Sequence, residues 1–270
     1  MTGHDKLRGK GAVVTGAGQG IGRALATRLA AEGARVVVND LDADNAAAVA
    51  AEIGGTAVPG DCASEEGVRH LVDAATEALG RIDVYCANAG IDGGPLGTGD
   101  SLLDTSDEAW SRIIETNVMA HVRAARALVP GWLETGGGRF VVTASAAGLL
   151  TMIGSAPYSV TKHGSVAFAE WLSVTYGHRG VAVQAICPQG VQTRMLEDSG
   201  PLQALLSHDV ALAPEAVADA WVASLADDRF LVLPHPEVAG YYAVRAQDTD
   251  RWLAGMRKLQ GRLDDARAQA

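Results

Sequence analysis

Short, nearly unbroken apolar runs alternate with longer amphipathic stretches along most of the chain. Residues 11–15 (Gly-Ala-Val-Val-Thr) form the first run, which stops at glycines and predicts a buried strand. Ile21, Leu25 and Leu29, spaced by four, predict a helix over 20–32 that ends near Gly33. The alternation repeats as a strand over 35–39, an Ala-rich helix over 42–53 and a short strand over 56–58. Ser64 is placed to cap a helix over 64–79, with Glu65 and Glu66 suited to its positive first turn. Residues 82–86 and 139–143 read as further strands, separated by a helical stretch through Trp110, Ile114 and Val118. A helix over 157–176, a strand over 181–186, a helix over 214–225 and a strand over 230–233 complete the series.

Strands that are apolar on both faces and alternate with helices imply an α/β fold: a doubly wound parallel sheet with helices on both sides. No repeat and no linker rich in Pro, Ser or charge divides the chain, so residues 1–270 are expected to form one domain. The alternation lapses into loop at 90–99 and 194–213, and loops at strand C-termini are where such sheets bind ligands.

Composition narrows the function classes. A 270-residue chain, 48% hydrophobic and 20% charged, is long enough for a full core and ordinary for a soluble protein. No apolar run reaches the roughly 18 to 20 residues of a membrane span, and residues 1–10 are too polar for a secretory signal. The formal charge of −10 argues against nucleic acid as a partner. Cys62, Cys86 and Cys187 are an odd, widely spaced set beside apolar runs, which favours free thiols in a reducing compartment. The expected location is the cytoplasm. The seven histidines show no ligand spacing, so no metal site is expected, and the five tryptophans read as packing residues.

The first strand runs into Thr15-Gly16-Ala17-Gly18-Gln19-Gly20-Ile21-Gly22, with a helix starting inside that stretch. Glycines let the backbone turn tightly and approach a pyrophosphate, while the helix N-terminus offers free N–H groups to the anion. The spacing is T-G-x-x-x-G-x-G, carried by Gly16, Gly20 and Gly22, rather than G-x-G-x-x-G. Asp40 ends the second predicted strand, where a carboxylate accepts hydrogen bonds from adenosine ribose hydroxyls and repels a 2′-phosphate. The alternative is an Asp that opens the following helix, in a cluster with Asp42 and Asp44. Gln19 is neutral where a 2′-phosphate site would gain from Arg or Lys, so both positions point to NAD.

Tyr158 and Lys162 lie four apart on a predicted helix and share a face. An ammonium beside a phenol favours the phenolate and lowers a pKa that is otherwise near 10, toward useful acid–base chemistry. Ser145 follows an apolar strand, placed to hydrogen-bond a substrate oxygen.

Taken together, the glycine turn, Asp61, Asn88-Ala89-Gly90, Asn117, Ser145, Tyr158-x-x-x-Lys162 and Pro188-x-x-Val191-x-Thr193 resemble the short-chain dehydrogenase/reductase family, in its order and at compatible spacings, over about residues 6–233. The resemblance implies a Rossmann-like fold and hydride transfer between NAD and a carbonyl or secondary alcohol. It implies Tyr158 as general acid/base, Ser145 as the group polarising the substrate oxygen, and Lys162 as the group that lowers the Tyr158 pKa and holds nicotinamide ribose hydroxyls. Asn117 would hold a water linking Lys162 to solvent. Gly16, Gln19, Gly20, Ile21 and Gly22 would surround the pyrophosphate. Asp61 and Cys62 would contact adenine, Asn88, Ala89 and Gly90 would pass the adenosine ribose, and Val191 and Thr193 would bond the carboxamide. Two positions depart from the family pattern: Ala87 replaces an asparagine before Asn88, and Gln189 replaces the glycine after Pro188. The second puts a side chain near the nicotinamide and leaves the hydride face and the pocket open.

The stretches 92–96, 146–153 and 195–206 are mostly apolar, which favours a hydrophobic, medium-sized substrate. Met195, Leu196, Leu202, Leu205 and Leu206 predict that 194–213 is a substrate loop whose apolar face closes over the site. The extension 234–270 carries Val238, Tyr241, Tyr242, Trp252, Leu253 and Met256, and is expected to form helices covering the same mouth or a neighbouring subunit. A homo-dimer or homo-tetramer is implied, with Val166, Ala169, Ser173 and Gly177 offering a small-residue face for helix pairing. An NADP-dependent reductase, epimerase or dehydratase on the same scaffold, or a non-catalytic nicotinamide sensor, are the alternatives.

Overall fold

The computed structural model describes residues 6–92, 105–197 and 211–268. Seven strands, β1 (Gly11–Val14), β2 (Arg35–Val38), β3 (Thr56–Ala57), β4 (Val84–Ala87), β5 (Gly138–Thr143), β6 (Val181–Ile186) and β7 (Leu231–Val232), form one sheet in the order β3-β2-β1-β4-β5-β6-β7. Every neighbouring pair is parallel. The order reverses at β1, so a crevice opens where the β1 and β4 loops diverge.

The helices are α1 (Gly20–Ala31), α2 (Ala43–Ile53), α3 (Glu65–Leu79), α4 (Asp107–Ile114), α5 (Ala120–Thr135), α6 (Ala156–Tyr176), α7 (Arg194–Glu197), α8 (Pro214–Ser224), α9 (Glu237–Gln247) and α10 (Thr249–Ala268). A side chain points to alternate faces along each strand, which divides the core in two. Val13, Tyr85, Phe140 and Val142 pack with Leu71 of α3, Leu128 of α5 and Leu172 of α6. Ala12, Val14, Cys86 and Val141 pack on the other face with Leu25 and Leu29 of α1 and Trp221 of α8. That two-sided burial is why the strands read as unbroken apolar runs.

Three differences from the sequence expectations have local causes. The strand expected over 82–86 forms as Val84–Ala87. Ahead of it, the Ile82 carbonyl accepts the Trp132 indole N–H at 2.7 Å, and the Asp83 carboxylate accepts Gly11 N–H at 2.9 Å. The helix expected through Trp110 and Val118 is a continuous rod, but Glu115–Met119 is a π-helical turn between α4 and α5. On α6, Val166 and Ala169 face the protein's own core, while Ser173 is half-buried and Gly177, just past the helix, is exposed; Val160, Trp171 and Val174 are the exposed apolar residues of the helix.

The extension after β7 is helical, as expected, but only Val238 of its named apolar residues is fully buried; Tyr241, Tyr242 and Leu253 are exposed. Of the expected substrate loop, α7 and residues 211–213 are described, while Leu202, Leu205 and Leu206 lie outside the described residues, as do 93–96 of the expected pocket wall. The two described ends of the loop meet, since Val191 and Leu212 form a parallel bridge and Gln192 N–H donates to Leu212 O at 2.9 Å. Among the described residues no helix is long and apolar enough to cross a membrane. The three cysteines are free, Cys86 and Cys187 buried and Cys62 half-buried.

Candidate active site

A cleft of about 1650 Å³ runs along the C-terminal ends of the strands, over the switch point. Every site residue expected from the sequence lines it except Asn117.

At one end lies the glycine turn. Gly16 and Gly20 adopt φ of 60° and 54°, which L side chains rarely tolerate. A Cβ on Gly22 would lie 2.0 Å from Gly16 O and 2.5 Å from Asn88 Nδ2, so the third position is closed to any side chain. Asn88 holds the turn against β4 by donating to Thr15 O at 2.9 Å and to Gly16 O at 3.2 Å. Thr15 Oγ1 reciprocates, accepting Asn88 N–H and Ala89 N–H, both at 3.0 Å. Gln19 is the exposed N-cap of α1 and makes no side-chain cap bond, whereas Asp42, Ser64 and Ser106 cap α2, α3 and α4. The α1 N-terminus therefore keeps its N–H groups and partial positive charge for a ligand. A cradle that only glycine fits, ending on an uncapped helix, matches the pyrophosphate of a dinucleotide.

Asp40 stands half-buried at the rim. Its Oδ2 accepts Gly18 N–H at 2.8 Å and its Oδ1 accepts Asp42 N–H at 3.0 Å, so it braces the glycine turn as well as charging the rim. Asp61 opens α3 by accepting Ala63 N–H at 2.8 Å and Ser64 N–H at 3.1 Å. Against the upward pull of burial, these bonds and Arg123 hold its carboxyl below the ordinary range. Cys62 sits beside it, its thiol pushed up to about 12 by burial and by the Asp61 charge.

At the other end, Ser145 follows β5 and caps a short 3₁₀ turn, Ala146–Gly148, by accepting Ala147 N–H at 3.1 Å. Ser155 caps α6, which places Tyr158 in the first turn and Lys162 one turn on. Lys162 Nζ donates to Thr143 O at 3.0 Å and lies 5.6 Å from the centre of the Tyr158 ring. Burial pushes the Tyr158 phenol up to about 12, opposed by a hydrogen bond with Ser145. Burial likewise draws the Lys162 ammonium down to about 8. The net shift of Tyr158 is upward because burial dominates it. Desolvation disfavours both charges, and the Lys162 bond is aimed at Thr143 O.

Asn117 sits, fully buried, in the π-helical turn, the kind of local widening that recurs at functional sites. Its amide clamps Ile91, accepting Ile91 N–H at 2.9 Å and donating to Ile91 O at 2.8 Å, and donates to Thr161 Oγ1 at 3.1 Å. Its carbonyl accepts Ser165 Oγ–H at 2.8 Å. Asn117 therefore ties the β4 loop to α6 next to Lys162. Val191 is buried, and Thr193 lies over the glycine turn, its Cγ2 3.2 Å from where a Gly20 Cβ would stand. At the departure, Gln189 N–H donates to His235 Nδ1 at 3.1 Å, while the Gln189 side-chain Oε1 is buried without a partner. Sequence reasoning missed Thr15, Thr143, Thr161 and His235. The capping pattern Ser155-x-Pro157 was a legible signal for where α6 begins; the others act through contacts distant in sequence.

The family profile for short chain dehydrogenase matches residues 10–203. The chain is a short-chain dehydrogenase/reductase. This short-chain dehydrogenase/reductase is 37% identical to a 1-deoxy-11-beta-hydroxypentalenate dehydrogenase of Streptomyces exfoliatus, over 91% of this chain and 90% of the relative. It is 32% identical to a cyclohexanol dehydrogenase of an Acinetobacter species, over 84% and 92% of the two chains. Among solved structures, a short-chain dehydrogenase/reductase from Burkholderia phymatum in complex with NAD superposes with a TM-score of 0.81 at 28% identity, covering 90% of this chain and 95% of that one. The protein is an oxidoreductase acting on CH–OH and C=O groups.

Proposed function

We propose that this short-chain dehydrogenase/reductase interconverts an apolar, alicyclic secondary alcohol and its ketone, prefers NAD to NADP, and uses Tyr158 for proton transfer. A 35% identical relative from Mycobacterium tuberculosis is named an NAD-dependent oxidoreductase, and the Burkholderia phymatum structure is a complex with NAD. The preference over NADP is supported by Asp40, a carboxylate on the cleft rim beside the glycine turn that would repel a 2′-phosphate, with Gln19 supplying no positive charge. The substrate class rests on the cleft wall after Ser145, where Ala146, Ala147, Leu150 and Met152 face the cleft, and on a relative named for cyclohexanol.

The observation that carries the mechanism is the convergence of Ser145, Tyr158 and Lys162 on one cleft with the glycine cradle. When bound, the nicotinamide supplies or accepts the hydride. Ser145 and Tyr158 hold the substrate oxygen. Tyr158 Oη gives it a proton in reduction and takes one back in oxidation; a phenol kept protonated by burial is already the acid that reduction needs. Lys162 Nζ, anchored on Thr143 O and lining the same cleft, would hold the nicotinamide ribose hydroxyls. Asn117 positions the Ile91 loop and α6 rather than holding a proton itself. A cytoplasmic location, one domain over the whole chain and a homo-dimeric or homo-tetrameric assembly complete the reading.

Titration with NADH and NADPH, followed by a panel of alcohols and ketones read at 340 nm, tests it. NADH should bind at least about tenfold more tightly, a difference of about 1.4 kcal/mol. Asp40→Asn should narrow that gap while keeping an oxygen to accept Gly18 N–H; Asp40→Ala should also weaken NADH. Equal affinities for the two cofactors in the unmodified protein would overturn the preference, and turnover confined to charged substrates would overturn the substrate class.

A further inference from the structure

The wall that follows Ser145 is short, irregular and held from outside. Its start is fixed by Ala146 N–H donating to Pro188 O at 2.8 Å. Its end is fixed by Ser159 of α6, whose hydroxyl accepts Met152 N–H at 2.9 Å and lies 3.1 Å from Met152 O. Between those points the Leu149 carbonyl accepts a bond from Arg245 Nη1, which comes from α9 in the C-terminal extension. The same Nη1 lies 3.1 Å from His163 Nε2. His163 Nδ1 is 2.8 Å from Ser159 O, an acceptor, so Nδ1 carries the proton and Nε2 is free to accept from Arg245. The Arg245 guanidinium packs on the Trp252 ring of α10, 5.2 Å from its centre, which orients it before it reaches across.

These contacts close a ring: Leu149, Arg245, His163, Ser159, Met152 and back along the wall. One side of that ring is the turn of α6 that carries Tyr158 and Lys162. We propose that Arg245 is a positioning residue through which the C-terminal extension sets the shape of the substrate wall relative to Tyr158. The extension then shapes the pocket from behind, through Leu149, whose side chain is buried, rather than by touching substrate. The inference rests on the proposed reaction for its kinetic test, and stands apart from it in its structural one.

The structural test is amide hydrogen exchange on the full chain and Arg245→Ala. Exchange over 146–152 should quicken in the variant while β5 and the glycine turn stay as they were. The kinetic test uses a cyclic ketone with NADH. Arg245→Ala should raise the ketone KM about tenfold, about 1.4 kcal/mol, with kcat within about twofold and NADH affinity unchanged, the signature of lost substrate positioning. Arg245→Lys, which keeps a donor, should recover part of the loss. His163→Leu should shift KM in the same direction, and the double variant should add little to Arg245→Ala because the two act through one contact. Unchanged exchange over 146–152 in a folded Arg245→Ala protein would overturn the proposal. So would a parallel loss of kcat, NADH affinity and melting temperature, which marks general destabilisation. If the wild-type protein turns over no ketone, the proposed reaction fails and the exchange result alone decides the role of Arg245.

Discussion

His121 lies on α5, 3% exposed, with Nε2 unpartnered, and burial together with the nearby Lys162 charge draws its imidazole down to about 3. The folded protein thus holds it neutral, while the unfolded chain protonates it near the ordinary 6.5. Between those values the unfolded state binds more protons, so stability falls as pH drops from about 6.5 and the effect levels off near 3. His121→Leu should flatten the acid limb of a urea-midpoint profile between those limits, by an amount on the order of a few kcal/mol. Parallel acid limbs in the two proteins would refute it. None of this was legible in the sequence, where His121 is one histidine of seven; its chemistry comes from burial beside Lys162, which only the packing of α5 on the site creates. Tyr158 and Lys162 were the opposite case. Their spacing announced a shared face, but the sign of the Tyr158 shift depended on how deeply the phenol is buried.

At the scale of elements, the glycine turn was the most legible part of the site, because each glycine answers a local steric demand. Gly22→Ala would drive a Cβ to 2.0 Å from Gly16 O, which backbone must relieve by moving. NADH affinity should fall at least about tenfold, about 1.4 kcal/mol, and a titration followed by fluorescence would read it; unaltered affinity would mean that the cradle does not touch the cofactor. Helix starts were also readable, since Ser64 caps α3 through Gly67 N–H as its position implied. The π-helical turn at Asn117 was not, because one widened turn within a longer helix shifts the apolar spacing by only a single residue. Nor was the start of β4, where an apolar Ile82 read as strand while its carbonyl serves the Trp132 indole.

At the scale of the molecule, the parallel pairing and the division into two cores follow from the alternation of apolar strand and helix, which is why the fold class could be read from the chain, while the strand order came only with the structure. Assembly could not be read residue by residue. Val166 and Ala169 of the small stripe on α6 pack inward, and Val160, Trp171 and Val174, the last 83% exposed, form its outward apolar face. If that face pairs subunits, light scattering should give a dimer or tetramer, and Val174→Glu should yield a species near 27.9 kDa. A wild-type protein that is monomeric at micromolar concentration would contradict it. The central claim, that this cleft moves a hydride and uses Tyr158 for the proton, is tested most directly by following NADH at 340 nm with a cyclic ketone in wild-type and Tyr158→Phe proteins. The account predicts a kcat lower by at least about 10²-fold in the variant, with NADH affinity little changed. Near-wild-type turnover by Tyr158→Phe would contradict it.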